Sequence, residues 1–170
     1  EGVGEACVNL LYGKADPSGR LAETFPLRLE DNPSYLNFPG DRETVKYSED
    51  IFVGYRYYDS KAQNVLFPFG YGLSYTRFAY KNLEVSASEI DAGTLLNVRA
   101  DVENVGTRKG KEVVQLYVAD KTGEAVRPIH ELKGFEKIEL APGECKTVSF
   151  TLDKRAFAYY DEKSRDWRCP

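Results

Sequence analysis

The chain holds 170 residues, with 23 Lys and Arg against 27 Asp and Glu for a net charge of −4, and 42% of its residues are hydrophobic. This is the composition of a soluble globular protein long enough to bury a core, and the acidic balance argues against nucleic acid as a partner. No apolar run approaches the roughly 18 residues of a membrane helix, so no membrane partner is expected.

In chain order, Glu5 to Tyr12 reads as a helix, because Cys7, Leu10 and Leu11 fall on one helical face. Gly13 suits the position just past its end. Asp16-Pro17-Ser18-Gly19 is a turn signal, and Leu21 to Phe25 alternates as a short strand closed by Pro26. Residues 27–50 lack periodicity and carry loop chemistry at Asn32-Pro33 and Pro39-Gly40. A loop of that length is expected to be functional or to pack along a neighbouring domain. Ile51 to Asp59 is an aromatic, β-rich run. In the stretch from Val65 to Tyr75, Pro68, Gly70 and Gly72 exclude a regular central strand. That stretch reads as a snug connection lined by aromatic rings.

From about Phe78 the pattern changes to strands. Leu83, Val85 and Ala87 alternate with polar residues, and Leu96 to Glu103 is the cleanest half-buried strand. Asn104-Val105-Gly106 turns the chain. Glu112 to Ala119 is apolar on both faces, which predicts a central strand. Leu132 to Leu140 holds one bent strand or two short ones, and Ala141-Pro142-Gly143-Glu144 is a turn. Val148, Phe150 and Leu152 mark another strand, and Phe157 to Asp161 a late short one. Short strands between turn signals, without helical pattern, predict an antiparallel β-sandwich of immunoglobulin-like type over residues 77–170. Charge and aromatics divide with it. Residues 1–76 carry net −4 and 13 aromatic residues, and residues 77–170 carry net 0 and 9.

Few residues suggest chemistry. Cys7, Cys145 and Cys169 are far apart and odd in number, which gives neither a metal spacing nor a disulfide framework. His130 is the chain's one histidine, so no His-rich metal site exists, and a structural or surface role is expected for it. Gly2-Val3-Gly4 lacks a preceding strand and a third glycine, and Gly13-Lys14 is followed by Ala15, so both phosphate-loop readings fail. Paired carboxylates can perform glycosidic acid–base work. Among the acidic residues Asp59 stands in the most apolar setting, where a salt bridge or cap explains it better. Tyr35, Phe38, Tyr55, Tyr57, Tyr58 and Tyr71 could stack on sugars, and packing at a core or domain interface is the commoner use of such rings. The residues alone therefore assign no catalytic, cofactor-binding or metal-binding position, and no cofactor.

Several runs taken together resemble family 3 glycoside hydrolases, the β-glucosidases and their relatives. In the first part they are Asp16-Pro17-Ser18-Gly19-Arg20-Leu21 with Thr24-Phe25-Pro26, then Ile51 to Asp59, and most distinctively Leu66-Phe67-Pro68-Phe69-Gly70-Tyr71-Gly72-Leu73-Ser74-Tyr75-Thr76. In the second part Gly110 to Val118, Glu131-Leu132-Lys133-Gly134-Phe135-Glu136-Lys137 and Leu140 to Glu144 resemble the fibronectin type III-like domain of that family.

The resemblance implies a mainly β chain, in which the tail of an α/β sandwich domain (residues 1–76) precedes a fibronectin type III-like β-sandwich (77–170). It implies a parent with upstream barrel and α/β domains as partners, retaining hydrolysis of a β-glycoside, and nucleophile and acid/base carboxylates upstream of Glu1. Ser164-Arg165-Asp166-Trp167 looks like an interrupted copy of the family's Ser-Asp-Trp nucleophile motif, but it lies in the wrong domain and receives no role.

The chain has no Met and opens on Glu1, which suggests a piece of a longer protein. Its end at Pro170 suggests a sandwich lacking its last strand, with an exposed edge. The fragment is expected to brace the domain before it and to be inactive alone. The alternative is a noncatalytic carbohydrate-binding or adhesion module resting on the aromatic surplus of residues 35–75, with Tyr57 and Tyr71 as its test positions. A homo-oligomer is possible, the glycoside remains unspecified, and the compartment stays open with the cytoplasm favoured.

Overall fold

The structure is a computed structural model that describes residues 2–89, 91 and 93–170. Glu1, on which the sequence opens, lies outside the described residues. The chain divides into two compact units. One comprises residues 1–19, 72–116 and 132–170, and the other residues 20–71 and 117–131.

The first unit is built on a β-sandwich, as the alternating pattern predicts. Strands β3 (Phe78–Val85), β4 (Leu96–Asn104) and β7 (Cys145–Leu152) form an antiparallel sheet in the order β3-β4-β7. Strands β5 (Gly110–Val118) and β6 (Glu131–Leu140) form a second sheet. Between them lie Val102, Val114, Ile138, Leu140 and Val148, with Phe78 and Phe150 packed against them. The alternation in β4 sends Val98 and Val102 inward and Arg99 outward. On the outer face polar pairs cross the strands. Thr151 donates to Asn97 at 2.7 Å, Thr147 donates to Asp101 at 2.5 Å, and Arg99 pairs with Glu84. Each of these exposed contacts contributes little, and together they hold the register.

Chain switches between the two sheets occur at turns visible in the sequence. At Ala141 to Glu144, Gly143 takes φ +74, Glu144 N–H donates to Ala141 at 3.0 Å, and Ala141 N–H donates to the Glu144 carboxylate at 2.7 Å. That N–H, with Lys146 beside it, holds the Glu144 carboxyl below its ordinary range. Leu132 to Leu140 proves to be one continuous strand.

Four expectations need correction here. β5 was expected to be central, but among the described residues it pairs with β6 alone. Apolar patterning reports burial, and Val114 supplies that burial without a second flanking strand. In β3 the register shifts between Lys81 and Glu84, where Asn82 has φ +51, and Leu83 and Val85 remain 71% and 50% exposed. A bulge interrupts the period on which that alternation rests. The late strand is shorter than expected. Phe157 ends the helical turn α3 (Lys154–Phe157), whose first turn is capped by the Asp153 carboxylate accepting from Ala156 N–H. Strand β8 (Tyr159–Asp161) follows and pairs with β9 (Asp166–Arg168). Finally, Asp16 to Gly19 forms no turn, because the Asp16 carboxylate is engaged elsewhere, as described below.

The first unit also holds helix α1 (Val3–Leu11), close to the expected span, and Gly13 follows it with φ +67. The expected apolar face is not buried, since Cys7 is exposed and Leu11 is 80% exposed.

In the second unit, β1 (Phe25–Pro26) pairs with β2 (Val65–Phe67). The strand expected over residues 21–25 contracts to this pair, and the preceding chain is held at single points. Leu21 N–H donates to Tyr71 at 2.9 Å, and Phe69 N–H donates to the Thr24 hydroxyl at 3.2 Å. Residues 27–50 contain one short 3-10 turn, Leu29–Asp31, and no strand, as the absent periodicity predicts. The aromatic run expected to be β-rich is instead helical at its end, forming α2 (Tyr55–Ser60). Gly54 starts it with φ +55 and ψ −133, and its carbonyl accepts from Tyr57 and Tyr58. Three tyrosines in six residues favour a strand by propensity, and packing overrides it by burying Tyr58 to 3% exposure.

Candidate functional site

Within the second unit the singled-out residues converge on His130. Helix α2 projects Tyr55, Asp59 and Ser60, the run after β2 brings Phe69, and the 117–131 segment carries Tyr117, Ile129 and His130. The His130 Nε2 atom lies 3.0 Å from the Asp59 carboxylate, and each side chain is about one-third exposed. The imidazole stacks on Tyr55 at 5.8 Å and meets Tyr117 edge-on at 5.0 Å. Tyr55 in turn packs against Phe69 at 4.8 Å. The Ser60 hydroxyl accepts from Ile129 N–H at 3.2 Å. Burial raises the pKa of the Tyr117 and Tyr58 phenols.

The sequence expectations for Asp59 and His130 thus become one contact: the partner of the Asp59 carboxylate is the one histidine. An imidazole held by a carboxylate is half of an acid–base device. Here the imidazole stacks on one ring and meets another edge-on, and the neighbouring hydroxyl serves the backbone. The arrangement fastens a loop to a helix.

The same loop is stiffened by ions. Arg127 pairs with Glu131 at 2.9 Å and lies 3.9 Å from Asp120, with Arg127 and Asp120 each 7% exposed. The Thr122 backbone N–H and hydroxyl, with Arg127 nearby, hold the Asp120 carboxyl below its usual range.

The first unit contains a second constellation, in which the Asp16 run meets the end of the Leu66–Thr76 run. The Asp16 carboxylate accepts from the Ser74 hydroxyl at 3.0 Å and from Tyr75 N–H at 2.7 Å. The Tyr75 hydroxyl donates to the Leu10 carbonyl at 2.7 Å. Arg108 donates to the Gly13 carbonyl at 2.8 Å and lies over the Tyr75 ring at 5.2 Å. Thr76 then donates to the fully buried Asn104 side chain at 2.6 Å. Two glycines permit this closeness. A Cβ on Gly106 would stand 2.1 Å from the Thr76 hydroxyl, and one on Gly110 would stand 2.6 Å from its methyl group.

A cleft of about 570 Å³ adjoins the network, lined by Lys14, Asp16, Arg108, Lys111 and Glu139 among others. Glu139 pairs with Lys109 and Lys111 at 2.5 and 3.5 Å, and these contacts keep its carboxyl below the ordinary range.

The remaining singled-out residues do not join a site. Tyr35, Phe38 and Tyr71 are 42%, 75% and 39% exposed, and Tyr58 is buried. Gly2 has φ +90 at the start of α1, a left-handed conformation that glycine adopts without steric cost. The three cysteines are free thiols. Among the described residues no group of three or more His, Cys, Asp or Glu is placed to hold a metal ion, and no helix is long and apolar enough to cross a membrane. Sequence reasoning missed the anchoring role of Asp16, whose Asp-Pro-Ser-Gly context signals a turn, and the hairpin that presents Trp167.

Residues 1–75 match the family described as "Glycosyl hydrolase family 3 C-terminal domain", and residues 112–170 match "Fibronectin type III-like domain". The chain is 55% identical over 167 residues to the thermostable beta-glucosidase B of Acetivibrio thermocellus, covering 98% of this chain and 22% of that protein. It is 46% identical over 164 residues to an exo-alpha-(1->6)-L-arabinopyranosidase of Bifidobacterium breve, covering 96% and 21%. Among solved structures it resembles the Bifidobacterium adolescentis GH3 beta-glucosidase with a TM-score of 0.90 and 45% identity, over 96% of this chain and 24% of that one. The chain thus spans about a fifth of the length of the curated relatives it matches.

Proposed function

Since the chain belongs to glycoside hydrolase family 3, as the C-terminal region of such a protein, we propose that its parent is a retaining β-glycosidase of β-glucosidase type. The observation that carries this reading is the close similarity of almost the whole chain to a named beta-glucosidase. In such a reaction one carboxylate attacks the anomeric carbon and a second carboxyl protonates the leaving oxygen. Water then releases the sugar.

Both carboxyl groups belong to upstream parts of the parent, a barrel domain and the body of an α/β sandwich domain. Residues 1–76 are the tail of that second domain, and residues 77–170 are the fibronectin type III-like domain. The present chain braces its neighbours and is inactive alone. In support, the acidic side chains in its two constellations are already engaged: Asp16 by Ser74 and Tyr75, and Asp59 by His130.

The test compares the parent with the 170-residue chain on an aryl β-glucoside. Turnover is expected from the parent and none from the chain. Turnover by the chain that disappears on substituting a single one of its carboxylates would overturn this reading. An aryl α-L-arabinopyranoside belongs in the same assay, because a relative of similar identity is named for that activity. Faster turnover of that substrate by the parent would reassign the sugar within the same reaction class.

A further inference from the structure

The boundary between the two domains, at residues 76 and 77, does not coincide with the division of the chain into compact units. Separable domains join at exposed linkers that few contacts cross. Here the boundary falls on bonded residues. Thr76 is 8% exposed and donates to Asn104 at 2.6 Å, while the Ser74 hydroxyl and Tyr75 N–H donate to Asp16. The Tyr75 hydroxyl reaches the Leu10 carbonyl, and Arg108 of the sandwich donates to the Gly13 carbonyl. Through these bonds the segment up to Gly19 and residues 72–76 close on the sandwich, and both belong to the first unit.

The second unit shows the converse. Residues 117–131 connect β5 to β6 within the fibronectin-like part of the sequence, yet they group with residues 20–71. Tyr117 meets Tyr55 edge-on at 5.9 Å, Ile129 N–H donates to the Ser60 hydroxyl, and His130 meets the Asp59 carboxylate. All three partners stand on α2. Arg127, bonded to Glu131 and close to Asp120, holds the segment to itself. The chain therefore passes from one unit to the other four times, after residues 19, 71, 116 and 131. Two modules in series need one passage.

We propose that the two domains are interlocked by a reciprocal exchange of segments. The α/β tail gives residues 2–19 and 72–76 to the sandwich, and the sandwich gives residues 117–131 to the tail as an arm that positions α2. This deepens the bracing role and rests on that reading. A brace that docks through a surface can detach as a body. An exchanged segment cannot leave without opening the unit that receives it, because its bonds are among those that hold that unit together. The folding units are consequently not the sequence domains, and a cut after residue 76 divides both.

Hydrogen exchange in the 170-residue chain reads the units separately, with the α2 amides of Tyr58 and Lys61 reporting on one and the β7 amides on the other. Asp16→Ala is expected to speed exchange in β7 about tenfold and to leave α2 unchanged. His130→Ala is expected to speed α2 about tenfold and to leave β7 unchanged. Asp16→Asn and His130→Gln, which keep most of the side-chain volume, show the same pattern more weakly and decide the matter where an alanine chain does not fold.

Two modules joined at residue 76 would give the reverse pattern, with Asp16→Ala acting on α2 and His130→Ala on β7, and that result overturns the proposal. So does a substitution that speeds both units, one that speeds neither, or an unsubstituted chain without protected amides. No substrate enters the measurement, so its outcome is independent of the turnover assay on the parent.

Discussion

Asn104 has no exposed surface, yet every hydrogen-bonding position of its side-chain amide is used. Its oxygen accepts from Thr76 at 2.6 Å and Gly106 N–H at 3.1 Å, and its nitrogen donates to the carbonyls of Arg108 at 2.7 Å and Leu140 at 3.0 Å. One side chain therefore ties the 76 region, the turn after β4 and the end of β6 to each other. Asn104→Ala takes the partner from two donors and two acceptors, of which the Thr76 hydroxyl and the Leu140 carbonyl are buried, and buried groups are costly to leave unmade. The expected loss is about 3 kcal/mol in a urea unfolding titration, against about 1 kcal/mol for Thr76→Val, which removes one bond. A loss below that of Thr76→Val would show that the network does not hold the unit. In the sequence Asn104 reads as a turn residue beside a strand. That is correct for its backbone, but its fourfold bonding depends on residues 28 and 36 positions away.

At the scale of elements, α2 and β3 show local propensity yielding to packing. Gly54 starts α2 with φ +55, and nothing stands within 4 Å of where a Cβ would be. Gly54→Ala therefore meets no clash, and its cost is backbone strain of about 1–2 kcal/mol. The second unit should unfold that much more easily, which hydrogen exchange at the α2 amides of Tyr58 and Lys61 would read. Unchanged protection would mean that α2 does not depend on this conformation. β3 fails in a different way. Its alternation is real, but the bulge at Asn82 breaks the two-residue period midway. β4 and β7 keep their period unbroken across all eight paired positions, and there the sequence reading holds residue by residue.

At the scale of the molecule, the described residues leave large apolar side chains uncovered. Leu36, Phe38 and Tyr47 are 91%, 75% and 87% exposed, in the long loop expected to be functional or to lie along a neighbouring domain. If the loop meets the rest of the parent, Leu36→Ser with Tyr47→Ser will change the stability of the isolated chain by less than about 0.5 kcal/mol. In the parent the same pair of changes will lower the melting temperature by several degrees, since each about 1 kcal/mol lost shifts a domain by about 2–8 °C. Equal small effects in both would place the loop in solvent.

The sequence by itself determined the family, the β-sandwich and the turns that switch its sheets. Those features rest on local periodicity, on turn chemistry and on long ordered motifs, all of which are written along the chain. Only the tertiary structure decided that Asp16 anchors Ser74 and Tyr75, that Asp59 meets His130, that an apparent strand is the helix α2, and that Trp167 lies under Arg155 on the β8–β9 hairpin. Each of these depends on contacts between distant residues, where burial and hydrogen-bond satisfaction outweigh local preference by a few kcal/mol at most.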